Sequence, residues 1–198
     1  MAVEQRLYTV EEFEQVADSP ENADRLLELV DGEIVEKVPT EEHGLIAMNI
    51  AAALWNWNST HKLGRIGTEV RHRSASDARN ARLPDVSFSS SKRPLIKRGS
   101  VPEMPSLAVE IQSPHDSIKD MRESARFYLA NGSKAVWLVF PEKRLVEVYS
   151  STEELILTAT DTLTGGELLP DFAMPVADVF RDPLDPAETA ENPSEASE

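Results

Sequence analysis

The sequence predicts an α/β fold of the α+β kind, a mixed central β-sheet flanked by helices. Two apolar runs, 106–112 and 134–140, are near-continuous, as in strands buried on both faces. A segment of helical period, 118–130, separates them, so the three read as a strand–helix–strand crossover with parallel strands. Asp31-Gly32 between two further apolar runs signals a tight antiparallel hairpin. Both pairing types in one chain make the sheet mixed. A length of 198 residues suffices to bury a core without covalent staples.

Tyr8 to Phe13 opens a short helix, with Thr9 as N-cap and Glu12 at the spacing of a capping box. Pro20 closes that region. Residues 25–38 form the hairpin and bring Glu28 and Glu33 near its turn. Thr40 caps the longest helix, 41–58, whose apolar stripe runs through Leu45, Met48, Ala52, Leu54 and Trp55. Residues 64–71 read as a strand, 72–82 as a loop or hairpin tip, and 83–88 as a short strand with Pro84 at its tolerated start. A long basic loop, 89–105, follows. Asp116 or Ser117 caps the helix 118–130, and Asn131-Gly132 ends it. Strands at 145–149 and 154–157 come next, and 171–180 docks through Phe172, Met174, Val176, Val179 and Phe180. One domain is expected over 1–180. Residues 181–198 hold six carboxylates and three prolines and read as a disordered acidic tail.

Composition removes several function classes. There is no cysteine, which excludes disulfide scaffolds, thiolate catalysis, cysteine-based zinc sites and iron–sulfur clusters. The four histidines, His43, His61, His72 and His115, fall at no familiar metal-ligand spacing, so a site for a hard ion would be built from carboxylates. No apolar stretch approaches the roughly 18 residues of a membrane span, and the first residues lack the form of a signal peptide. A soluble, cytoplasmic protein is the expectation.

The net charge of −15 conceals an asymmetry. Residues 1–42 carry 13 acidic and 3 basic side chains, whereas 61–98 carry 10 basic and 3 acidic. Lys62, Arg65, Arg71, Arg73, Arg79, Arg82, Lys92, Arg93, Lys97 and Arg98 make up that cluster. It reads either as a local seat for a polyanion such as DNA or as solvated loop charge.

The most informative anomaly is Glu110 inside the apolar run of 107–111, where an unpaired charge is costly. Asp85 opens a short strand, and Glu110 and Gln112 lie two apart on another, so those two face one way. Carboxylates converging from neighbouring strands can hold Mg²⁺, or Mn²⁺, through oxygen ligands. The ion would polarise a phosphate and acidify a bound water. Glu28, Glu33 or Glu69 can add a ligand or act as base. The plain alternative makes Glu110 a salt-bridged residue at a strand edge.

Residues 25–33, Leu83-Pro84-Asp85-Val86, 107–114, 127–132 and 136–139 resemble, in that order, the Uma-two family. The likeness spans about 7–180. That family is described as restriction-endonuclease-like and belongs to the PD-(D/E)xK nuclease superfamily. The resemblance therefore implies a restriction-endonuclease-like core with an added N-terminal hairpin. It implies that Pro84-Asp85 is the PD half-motif and Glu110 the acidic residue of the second half. Gln112 stands where the usual lysine would be, and Ser124 stands at the helix position where members often carry one instead. Lys119, one turn away, is the candidate replacement. His43 matches a histidine at the start of the family's long helix.

The leading reading is a Mg²⁺-dependent endonuclease acting on DNA. Asp85, Glu110 and Glu28 would hold the metal, Gln112, Lys119, Glu33 and His43 would complete the catalytic set, and 61–98 would engage the backbone. A homodimer is expected, since cutting two strands needs two sites. The alternatives are a nuclease-like binding module without chemistry and a partner protein whose acidic tail mimics nucleic acid.

Overall fold

The computed structural model describes residues 6–185, and most of the expected acidic tail lies outside them. Helix α1 (Val10–Ala17) starts at the Thr9–Glu12 capping box, with both reciprocal bonds formed. Strands β1 (Leu26–Val30) and β2 (Glu33–Lys37) pair antiparallel about Asp31 and Gly32. Both turn residues have positive φ, 50° and 89°, the conformation that an Asp-Gly turn accommodates. Helix α2 (Glu41–His61) begins at Thr40, whose hydroxyl accepts from the His43 amide.

Beyond it come β3 (Arg65–Thr68), β4 (His72–Arg73), β5 (Ala81–Arg82), β6 (Val86–Ser89) and β7 (Leu107–Ile111). Helix α3 (Ile118–Ala130) is capped by Ser117 and leads into β8 (Ala135–Phe140). The chain continues through β9 (Leu145–Ser150), β10 (Glu154–Thr158), β11 (Thr162–Gly165), β12 (Leu169–Pro175) and the single turn α4 (Val176–Val179).

The main sheet has the order β10-β9-β8-β7-β6-β3. Its β7–β8 pair is parallel around α3 and its other pairs are antiparallel, so the sheet is mixed as expected. A second sheet, β2-β1-β5-β4, contains the N-terminal hairpin. The expected loop 72–82 thus contains two strands. Each is two residues long, too short to display a period, and each exists through its partner: Ala81 lies opposite Leu29, and His72 opposite Arg82. The β11–β12 hairpin also has no counterpart among the strands read from the sequence.

Alternation along β7 sorts two cores. Val109 and Ile111 pack with Ile46, Ile50, Leu54 and Trp57 of α2, while Ala108 packs with Met121, Ala125 and Tyr128 of α3. Of the expected apolar stripe Met48, Ala52 and Trp55 are exposed and Leu54 is buried, and the buried face of α2 runs instead through Ile46, Ile50, Leu54 and Trp57. Among the described residues no helix is long and apolar enough to cross a membrane.

Candidate functional site

Glu110 has the same side of β7 as Ala108 and therefore faces the α3 layer. Val86 lies opposite Val109, so Asp85 sits one residue farther along, beside Glu110. The Asp85 amide donates to the Val109 carbonyl at 3.0 Å and ties the two segments together. Pro84 starts this segment, where no ladder donor is required. The two carboxylates of the sequence argument are thus neighbours at one end of the main sheet.

A third residue joins them. Lys37, last in β2, places its ammonium 2.7 Å from Asp85 Oδ1 and 2.9 Å from Glu110 Oε2. Its third proton goes to the Leu83 carbonyl at 3.0 Å. The remaining oxygens are also engaged. Asp85 Oδ2 accepts from the Ile111 amide at 2.7 Å and lies 3.1 Å from His43 Nε2. Glu110 Oε1 accepts from the Tyr128 hydroxyl at 2.7 Å. Glu28 borders the group, its Oε2 accepting from the Leu83 amide at 3.2 Å.

Burial opposes the Lys37 charge, but Glu110, Asp85 and Glu28 outweigh it and hold Lys37 well above its ordinary value. Burial likewise works against the Asp85 carboxylate, and Lys37 and His43 overcome it, so Asp85 stays below its usual range. Glu110 goes the other way. Burial pushes it up to about 7, with Asp85 and Glu28 adding to the rise and Lys37 opposing it. One ammonium among three carboxylates leaves the centre short of positive charge, and Glu110 is where the deficit is felt. Burial and Glu110 raise the Tyr128 hydroxyl well above its usual range, so it remains a donor.

The "Putative restriction endonuclease" family model, Uma2, matches residues 10–177. The chain belongs to the Uma2 family. A crystal structure described as a "putative nuclease belonging to DUF820 from Anabaena variabilis" superposes with a TM-score of 0.72 at 20% identity, covering 87% of this chain and 97% of that one. At that identity the likeness shows a shared fold, the mixed sheet flanked by helices. A DrdV–DNA complex solved by cryo-electron microscopy reaches a TM-score of only 0.35 at 19% identity, over 55% of this chain and 9% of that one. No curated protein matches the sequence.

The structure gathers Asp85, Glu110, His43 and Glu28 into this Uma2 centre and leaves other candidates outside it. Gln112 donates to the Asp116 carbonyl at 2.9 Å and lines a neighbouring cavity with His43. Lys119 is solvent-exposed on α3, 3.6 Å from Glu123. Glu33 is exposed opposite Val30, at the hairpin turn. Ser124 is half-buried on α3. The missed members are Lys37 and Tyr128. Tyr128 reads from the sequence as an ordinary core position of an amphipathic helix. Lys37 carried one usable signal: a lysine at a strand end of the hairpin that also bears Glu28, in a chain lacking both expected lysines. Replacing Tyr128 with Phe is expected to cost about 1–3 kcal/mol in guanidinium unfolding, because a buried oxygen of Glu110 loses its donor.

The oxygen donors suit a hard ion by chemistry, but their arrangement does not fit one. Mg²⁺ needs ligand distances of about 2.0–2.1 Å, and the place between the carboxylates belongs to the Lys37 ammonium. The cavity beside it, bordered by Lys37, His43, Glu69 and Asp85, measures about 10 Å³, room for at most one water. Among the described residues no group of three or more His, Asp or Glu side chains has metal-holding geometry. The larger opening outside, about 110 Å³, is flanked by Glu42 and Glu142, which repel an approaching phosphate.

The basic segment does not line this opening. Arg71 pairs with Asp18, Arg73 with Glu11 and Arg93 with Glu103. Arg82 is buried with its guanidinium 4.5 Å above the Phe127 ring. Arg65 lies opposite Ser89, at the end of β6 away from Asp85, about 13 Å along a strand at roughly 3.3 Å per residue. Lys62 ends α2, whose first turn carries His43, and so sits about 30 Å from it at 1.5 Å per residue. The segment expected to engage a nucleic-acid backbone is thus spread over several parts of the fold. Four of its cations are paired or stacked within the chain. Exposed Arg79 lies by the β1–β2 turn, and exposed Lys97 and Arg98 precede Gly99, which packs against Glu14 of α1. Chain direction carries Lys62, Arg65 and Lys92 toward the opposite end of the sheet, where exposed Lys134 precedes β8.

Proposed function

We propose that this Uma2 chain is a nuclease-fold module that binds nucleic acid in the cytoplasm without hydrolysing it. The observation that carries this reading is the Lys37 ammonium, bonded through all three protons at the position a catalytic ion would need. Exposed Lys62, Arg65, Lys92 and Lys134, remote from the carboxylates, supply contacts to phosphates. A second reading retains a Mg²⁺- or Mn²⁺-dependent endodeoxyribonuclease, acting as a homodimer. The observation favouring it is that Lys37 brings a lysine to Asp85 and Glu110 from β2, in place of those absent at Gln112 and Ser124.

Anisotropy of a labelled DNA duplex in EDTA, beside plasmid nicking in Mg²⁺ or Mn²⁺, separates the two. Binding is expected to weaken steeply with salt, log Kd changing by about 0.9 per phosphate contact for each tenfold rise. It should fall at least tenfold in a Lys62→Glu/Arg65→Glu variant. Nicking should be no higher for the wild type than for Glu110→Ala. Nicking lost in both Asp85→Ala and Glu110→Ala would establish the second reading. A duplex left unbound at low salt would point to a protein partner.

A further inference from the structure

We propose that Lys37 is an internal substitute for a divalent cation, and that removing its ammonium opens a cation site between Asp85, Glu110 and the Leu83 carbonyl. The inference rests on the lysine-held centre and is independent of nucleic-acid binding. Two carboxylate oxygens and a backbone carbonyl surround Nζ at 2.7, 2.9 and 3.0 Å. Those are the ligand types a hard divalent ion takes. The ammonium meets the same electrostatic need with one charge instead of two.

The rest of the cage does not depend on Lys37. Asp85 is held by the Ile111 amide and His43, and Glu110 by the Tyr128 hydroxyl. Shortening residue 37 or removing its charge therefore leaves both carboxylates aimed at one point. An ion also has a route. The small cavity at Lys37 and the outer opening share His43 and Ser113 as walls, and Glu42 and Glu142 at the mouth attract cations. Ca²⁺, bound at about 2.3–2.6 Å, needs less contraction of the cage than Mg²⁺ at about 2.0–2.1 Å. The new site should therefore favour the larger ion.

The test is titration of the full chain with Mn²⁺ alone, read by loss of the free-ion electron paramagnetic resonance signal, with Ca²⁺ and Mg²⁺ as competitors. Wild type, Lys37→Met, Lys37→Gln and the double variant Lys37→Met/Asp85→Asn are compared. The expected result is one Mn²⁺ site in each single variant, at least tenfold tighter than any in the wild type and lost in the double variant. Ca²⁺ should displace Mn²⁺ more readily than Mg²⁺ does. Thermal unfolding gives a second readout: the single variants should gain stability with Mn²⁺ over EDTA, and the wild type should not. Folded single variants that bind no Mn²⁺ would overturn the inference alone. Failure of both to fold even with Mn²⁺ would do the same, since the ion is required to replace the ammonium. A wild-type Mn²⁺ site as tight as the single variants' and absent from the double variant would overturn both this inference and the reading of the chain as a non-hydrolysing module.

Discussion

Replacing Asp85 with alanine is expected to lower the folding free energy by about 3–5 kcal/mol, the usual cost of leaving a buried charge without its partner. One carboxylate serves three donors at once, Lys37, the Ile111 amide and His43. Its loss strands a buried backbone N–H and leaves Lys37 with Glu110 as its remaining carboxylate. The Asp85→Asn variant keeps an acceptor for Ile111 and should be hurt less. Lys37→Met combined with Asp85→Asn should cost less than the two single changes summed, because the pair is removed together. Guanidinium unfolding at pH 7 measures all of these. A loss under about 1 kcal/mol for Asp85→Ala would mean that solvent, not the protein, balances this charge.

The second large effect is acid sensitivity at His72. This ring is buried between β5 and the 101–103 segment, with Nδ1 2.9 Å from the Glu103 carbonyl and Nε2 without a partner. Burial pushes its pKa down from 6.5 to about 4, the nearby Arg93 helping and Glu103 opposing. The unfolded chain therefore takes up a proton at a higher pH than the folded one. The stability due to neutral His72 is complete above pH 6.5 and is lost progressively as the pH falls toward about 4. At 1.36 kcal/mol per unit the loss is about 3 kcal/mol. Glu110 has the opposite sign. Its folded value of about 7 lies above 4.5, so its contribution grows as the pH falls through that interval. Comparison with His72→Gln isolates the histidine: the stability advantage of wild type over variant should shrink by about 3 kcal/mol from pH 7 to pH 4. Parallel pH profiles for the two proteins would rule out His72 as the source.

What was legible in the sequence was local. The Thr9–Glu12 box, the Thr40 and Ser117 caps and the Asp31-Gly32 turn each depend on residues within four positions of one another. The near-continuous strands β7 and β8 announce burial on two faces through composition alone. Asp85 and Glu110 stood out for a related reason, since a charge in an apolar run must have a partner. The identity of that partner was not legible. Lys37 is 48 residues from Asp85 and 73 from Glu110, and its place at a hairpin strand end could mark it as a candidate without showing which carboxylates it meets.

By itself, then, the sequence determined the mixed sheet, its two helical layers, the family and the pair of carboxylates at one sheet end. Local hydrogen bonds and the alternation of burial are short-range and leave a periodic trace. Only the tertiary structure decided what balances those carboxylates and where the basic residues lie. Coulomb forces act on distance in space, and docking of the β1–β2 hairpin beside β5 brings Lys37 to within 3 Å of both acids. The direction of β6 and α2 meanwhile carries exposed Lys62 and Arg65 to the other end of the sheet.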